Sequence, residues 1–353
     1  MNKQTVTVYI ILFILVTILS AAFFYNFRTV HFADPNLELV IREILAKPEG
    51  MLLKKELETI YRLDAGDRGI HHLEGIQHLK NLRTLNLIDN RIQDVTPLEN
   101  LTKMQELNLR NNEITNLEDI NLVVLKDLPE LKVLSLRHNV VRHEDSSQTR
   151  ITNISVLKDF HQLESLELRD NHIKDITPLQ DLTQLKVLDI SQNPLKEGDI
   201  SPLKDLVGLL HLNIRETGVK DLSPLENMIH IEYLNIHSNH EITCLKPVGT
   251  LKNLRSLIMR NVCTGGDLEF LTELTGLTRL NLRNCSVKDL SVLGDLMKKG
   301  ALQDHAAMGL EADVDIRENP IPEKNQDGAD GYAPIRPYWE NIAQRQPEFL
   351  PAN

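Results

Sequence analysis

The side chains of this 353-residue chain that come nearest to a reactive set are three histidines, His211, His237 and His240. No cysteine or carboxylate completes a recognised ligand spacing with them, so they read as surface histidines rather than a metal centre. The three cysteines, Cys244, Cys263 and Cys285, contain no Cys-x-x-Cys pair and are too few for a disulfide framework. A Gly-rich phosphate loop, Gly-x-Ser-x-Gly, His-Glu-x-x-His and the EF-hand loop are all missing from the sequence, and Gln326-Asp327-Gly328-Ala329-Asp330-Gly331 reads as a turn-rich loop. No catalytic residue, metal or cofactor is therefore expected. The polar side chain that does recur at a fixed place is arginine: Arg110, Arg137, Arg169, Arg215, Arg260, Arg283 and Arg317.

The elements that position those arginines are repeats. Leu85-x-Leu87-x-x-Asn90 returns as Leu107/Leu109/Asn112, Leu134/Leu136/Asn139, Leu166/Leu168/Asn171, Leu188/Ile190/Asn193 and Leu234/Ile236/Asn239. Weaker copies are Leu212/Ile214 with Thr217, Leu257/Met259 with Val262, Leu280/Leu282 with Cys285, and Val314/Ile316 with Asn319. Successive copies lie 22 to 34 residues apart, the signature of a solenoid. Leu-x-Leu points two side chains inward from a short strand while the residues between them face out, and each strand is expected to pair in parallel with the next. The Asn amide at the following turn can satisfy backbone groups that an enclosed turn would bury unpaired. On the return side, Asp94-Val95-Thr96-Pro97-Leu98 and its copies at Asp175, Asp199 and Asp221 use Pro to fix φ on a tight convex turn.

The outward residue just after the second leucine runs Ile88, Arg110, Arg137, Arg169, Ser191, Arg215, His237, Arg260, Arg283 and Arg317. Strands about 4.8 Å apart would set neighbouring guanidinium charges to repel by about 0.9 kcal/mol even in bulk water, so the row needs an answer. In the first half, Glu106, Glu167, Asp170 and Asp189 are expected to pair with Arg110, Arg137 and Arg169, and Asp313, Asp315 and Glu318 with Arg317. Between those, His211, Arg215, Tyr233, His237, Arg260, Arg279 and Arg283 share the concave face with Glu216 as the nearby carboxylate. That patch is expected to suit an anionic partner: a carboxylate-bearing peptide, an acidic protein face or a phosphate-rich wall polymer. A second candidate is the insertion Val141 to Arg150, with Arg142, His143, Glu144, Asp145 and Arg150, expected as a solvated loop at the solenoid edge.

The remaining segments set the context. Net charge is −11 with both signs mixed, and 41% of the residues are hydrophobic, which argues against disorder and against nucleic-acid binding. Between Lys3 and Arg28 no residue is charged, and Val6 to Phe27 is long enough to cross a bilayer as one helix. Ser20-Ala21-Ala22 leaves a cleaved signal peptide open. The length of the run and its aromatic end, Phe23, Phe24, Tyr25 and Phe27, favour an uncleaved anchor over residues 1–28. Lys3 and the amino terminus outweigh Arg28, which puts the body outside the cell.

These coils resemble the bacterial internalin-type leucine-rich repeat proteins. The likeness extends to Phe32-Ala33-Asp34-Pro35-Asn36-Leu37, where Asp34 is the expected N-cap of an amphipathic helix bearing Leu37, Val40, Ile41, Ile44 and Leu45 on one face. The resemblance implies an α/β leucine-rich repeat solenoid with a curved parallel concave sheet and short helical or 3-10 convex turns. It further implies a helical cap over 32–65, repeats over 66–320 and a C-terminal cap over 321–353 in which Trp339 packs on the last coil. Cys285 stands where that pattern accepts cysteine, and is expected to be a buried thiol. The functional expectation is a non-enzymatic binding module, a single-pass membrane-anchored or secreted ectodomain that meets a protein, a peptide or an anionic wall polymer. The alternative is a cytoplasm-facing regulatory scaffold, similar to the short-coil repeat proteins that regulate phosphatases.

Overall fold

The computed structural model describes residues 28–114, 120–142, 148–263, 265–304, 311–324, 329–339, 342 and 344–345. The expected membrane segment, apart from Arg28, lies outside them. Among the described residues no helix is long and apolar enough to cross a membrane.

Leu-x-Leu repeats become three-residue strands whose central leucine is buried and whose flanking residues look outward. Twelve strands form one parallel sheet: β3 (Arg62–Asp64), β4 (Thr84–Asn86), β5 (Glu106–Asn108), β6 (Val133–Ser135), β9 (Ser165–Glu167), β10 (Val187–Asp189), β11 (His211–Asn213), β12 (Tyr233–Asn235), β13 (Ser256–Ile258), β14 (Arg279–Asn281), β15 (Asp313–Asp315) and β16 (Gln344–Arg345). Every pairing is in phase, so Leu63, Leu85, Leu107 and Leu134 sit side by side, and the outward residues form rows that cross the sheet. The first strand falls inside the stretch expected as a helical cap, and β16 inside that expected as the C-terminal cap.

One residue past the arginine row the backbone turns sharply. Asp89, Asn111, His138, Asp170, Gln192, Glu216, Ser238, Asn261, Asn284 and Glu318 all take a left-handed φ between 51° and 61°. The amide of each of the first nine still donates to the carbonyl of the arginine-row residue in the next coil, as Asn111 does to Arg137 at 2.9 Å. Sharp turning and continued pairing meet only in this conformation, which Asn and Asp tolerate better than most residues.

The asparagines behind that turn make the expected ladder. Asn193 Nδ2 donates to the carbonyls of Leu168 (3.0 Å) and Ile190 (2.9 Å), while its Oδ1 accepts from Ile173 N at 3.1 Å. At the same place Cys285 Sγ contacts the Met259 carbonyl at 3.0 Å, and burial pushes its thiol up to about 11. On the convex side each repeat closes in a 3-10 turn such as Thr96–Leu98 or Ser201–Leu203. The Asp before each turn accepts the backbone amide two residues on, at 2.8 Å for Asp94, Asp175, Asp199 and Asp221. The buried aliphatic side chains of all coils form one continuous core running from Val30 to Ile342.

At the N-terminal end β1 (Thr29–Val30) pairs antiparallel with β2 (Leu52–Leu53), framing the helix Pro35–Ile44. One Asp34 carboxylate oxygen caps that helix through Asn36 N (2.9 Å) and Leu37 N (3.4 Å). Its other oxygen accepts from His71 N (2.7 Å) and His72 N (3.2 Å), tying helix to first coil. At the other end Trp339 is buried in the common core, and Gly294 lies so close to the Pro334 carbonyl that a Cβ would meet its oxygen at 2.5 Å.

The described ends of the insertion are paired strands, not loop. Val140–Arg142 (β7) and Gln148–Arg150 (β8) pair antiparallel as a hairpin, while His143, Glu144 and Asp145 lie outside the described residues. Two β-branched valines opposite Arg150 and Thr149 suit the pairing, a signal masked by the charged residues between them.

Candidate functional site

Of the seven patch residues, His211, Tyr233 and Arg279 stand on strands of the concave face, and Arg215, His237, Arg260 and Arg283 two residues past the ends of β11 to β14. Cross-strand register aligns His211, Tyr233, Ser256 and Arg279 in one row, and the in-phase ladder aligns Arg215, His237, Arg260 and Arg283 in another. His211 and Tyr233 stack, with ring centroids 5.8 Å apart at 24°. This parallel pairing follows from the strand geometry, because outward residues on adjacent strands lie within ring-stacking range.

The arginines of this patch are better answered than the sequence suggested. Arg215 Nε meets Glu216 Oε1 at 2.8 Å, Arg279 Nε meets Asp313 Oδ2 at 2.8 Å, and Arg283 pairs with Glu318. Asp313 and Glu318 were expected beside Arg317, but both serve the preceding coil, leaving Asp315 for Arg317 at 2.7 Å. The reason is register: Asp313 lies directly opposite Arg279, and the left-handed turn swings Glu318 back over Arg283. Among the described residues Arg260 makes no side-chain hydrogen bond or ion pair, and its Nε and the Oγ of Ser256 are buried without partners. Burial, with the charges of Arg215 and Arg260, holds His237 below its usual value and so favours its neutral form.

In the first half the expected pairing also differs. Glu167 accepts from Ser135 Oγ at 2.9 Å, and Asp189 from Ser191 N at 2.9 Å and Asn213 Nδ2 at 3.1 Å. Asp170 binds His138 and Arg150. Arg169 donates through Nε to Gln192 Oε1 at 2.8 Å, a neutral acceptor. The side chains of Arg110 and Arg137 make no ion pair or hydrogen bond among the described residues. Burial and then the charges of Arg169 and Arg110 hold Arg137 below the usual arginine range, partly offset by Asp189 and Glu167.

The second candidate is divided. Arg150 Nη1 donates to the Asp170 carbonyl and to its Oδ1, both at 2.9 Å, so it fastens the hairpin instead of displaying a charge. Arg142 lies on β7. The sequence reading named Asp170, Glu216 and Glu318 of the left-handed row singly, but missed Gln192 and the alignment of these residues as one row. Their signal was present: ten consecutive coils place a polar residue there.

The family described as Leucine Rich repeats (2 copies) matches residues 80–122 and 161–205. No curated protein matches the chain by sequence. Among solved structures, an internalin, InlF, from Listeria monocytogenes is 27% identical, with 82% of this chain and 84% of that chain covered and a TM-score of 0.68. Internalin C2 from the same organism is 31% identical, with 65% of this chain and 94% of that chain covered and a TM-score of 0.57. A leucine-rich repeat protein of Leptospira interrogans, 18% identical with a TM-score of 0.52, shares the fold alone.

Proposed function

From the premise that this chain belongs to the internalin-type family of bacterial leucine-rich repeat proteins, we propose that its concave sheet recognises a protein partner without chemistry. The contact centre in this reading is the face of β11 to β14: His211, Arg215, Tyr233, His237, Arg260, Arg279 and Arg283. One observation carries it. Of the four arginines there, three hold carboxylates while Arg260 has no acceptor among the described residues, one strand away from a stacked His–Tyr pair. Tyr and Arg with their apolar stems are the side chains that dominate protein–protein contacts. A carboxylate of the partner would complete Arg260, while the rings supply flat area at low entropic cost.

The cap and anchor belong to the same reading. The helix Pro35–Ile44 with β1 and β2 closes the N-terminal end of the solenoid, which would otherwise expose core and strand edge. The uncharged run before Arg28 supports an anchor in the cell membrane that holds the repeats outside. Protease treatment of intact cells, followed with an antibody to residues 60–320, should remove the repeat signal. Protection until lysis would instead favour the cytoplasm-facing scaffold.

The binding claim is tested by combining Tyr233→Ala with Arg260→Glu and comparing partner capture with that of Lys204→Glu on the convex side. The concave variant should lose capture and the convex one keep it. Equal capture by both would overturn the assignment.

A further inference from the structure

The arginine row is answered unevenly, and the gap is where the sequence promised pairing. The chain carries 50 acidic against 39 basic residues, so a carboxylate could have been placed beside any arginine. Yet Arg110 and Arg137, on adjacent coils, have none among the described residues, and Arg169 beside them has only an amide oxygen. The nearest acids are committed elsewhere: Glu167 to Ser135, Asp189 to Ser191 and Asn213, Asp170 to His138 and Arg150. All three arginines are half-buried, which weakens solvent screening of their mutual repulsion. A fold that keeps such repulsion while locking its acids into other bonds gives up stability at that place, as binding surfaces do.

The shape of the charge limits what can answer it. On one side of the arginines runs the row of Asn108, Ser135, Glu167 and Asp189; on the other, the left-handed row of Asp89, Asn111, His138 and Asp170. The positive strip is therefore one residue wide with acids at its flanks. A densely charged chain such as polyphosphate would lay anions on Glu167 and Asp170 as well, whereas the carboxylates of a peptide, set on alternate sides of an extended backbone by flexible stems, can meet the guanidinium forks alone.

We propose that Arg110 and Arg137, with Arg169 beside them, dock neighbouring carboxylate side chains on an acidic segment of a protein partner. This inference rests on the reading of the concave face as a protein-binding surface and names the chemistry of a second contact on it. Each free fork offers paired donors to one carboxylate, and the strand spacing of about 4.8 Å presents the forks side by side.

The test is titration of the full-length protein with a labelled hexaglutamate peptide at low salt, with linear polyphosphate of the same charge as comparison. Arg137→Gln and Arg110→Gln should each weaken hexaglutamate binding about tenfold, the loss of a charge-assisted bidentate contact. Arg215→Gln, whose arginine already holds Glu216, should change it less than about twofold. Arg137→Gln should also raise the melting temperature, because it relieves repulsion that Asp189 and Glu167 offset only in part. Unchanged hexaglutamate affinity in Arg137→Gln, or a lowered melting temperature, overturns the proposal. Polyphosphate binding more tightly than hexaglutamate, and lost in Arg137→Gln, overturns the assignment to an acidic protein. Hexaglutamate titration needs no natural partner, so the two readings fail separately. Its failure with the Tyr233 and Arg260 capture contrast intact sinks only this inference; loss of that contrast with the Arg137 effect intact sinks only the wider reading.

Discussion

Asp34 shows how much one side chain can carry in this protein. Its two carboxylate oxygens accept four backbone amides, two from the helix it caps and two from the first coil. Burial opposes its charge, but the amides of His71, His72, Asn36 and Leu37 outweigh that and hold the carboxyl below 3.8. A carboxyl depressed in the fold contributes stability that is present above its unfolded value and lost as pH falls through the folded one. The melting temperature should therefore hold from neutral pH to about pH 4 and decline below it, with a shallower decline in Asp34→Asn. An acid limb identical in variant and parent would contradict this account of Asp34. Cys285 makes a second residue-level claim. Its buried thiol, raised to about 11, should resist iodoacetamide at pH 8 while exposed Cys244 and Cys263 react, so mass spectrometry of native protein should show two adducts and of unfolded protein three. The arginine row itself was legible in the sequence, but its partners were not. Asp313 and Glu318 sit close to Arg317 in the chain and serve Arg279 and Arg283 in space, because pairing runs across coils and the left-handed turn redirects the side chain.

Elements were legible where period-two leucine spacing governs them, as in β4, β5 and β10. They were obscured where local pairing takes over. The hairpin of β7 and β8 is held by Asp170, which grips Arg150 from one side and His138 from the other. Asp170→Ala should release it: amides of Val140–Arg142 and Gln148–Arg150 should exchange faster by mass spectrometry, while those of β11 to β14 stay slow. Equal exchange in both proteins would mean that the hairpin stands without this anchor. The C-terminal turn over the last coil depends instead on close approach. In Gly294→Ala the new Cβ would run into the Pro334 carbonyl oxygen, costing about 1–3 kcal/mol of local stability. Trp339 is the single tryptophan, so its emission reports on this closure directly and should shift to the red in the variant. An unshifted spectrum would show that the segment Tyr332–Trp339 can move aside at no cost.

At the scale of the molecule, a one-dimensional stack of coils turns a short sequence motif into two long surfaces with different tasks. The convex side spends its polar groups on itself, each Asp before a 3-10 turn accepting the amide two residues on. The concave side keeps side chains in ordered rows, and in the row after the second leucine Arg110, Arg137 and Arg260 are left unanswered among the described residues. Because those guanidiniums are half-buried, leaving them open costs more than leaving a solvated charge open elsewhere, and this supports recognition through the concave face. The repeat frame could be read from leucines and asparagines alone. Which charges remained open could not, because it depends on register between coils more than twenty residues apart in the chain. The most direct measurement is photo-crosslinking on cells that carry the natural partner, with the probe residue placed in turn at Ile258 on the concave face and at exposed Val207, outside the sheet in the turn between Leu203 and β11. The account predicts protein adducts from position 258 and none from 207. Adducts from 207 with none from 258 would contradict it.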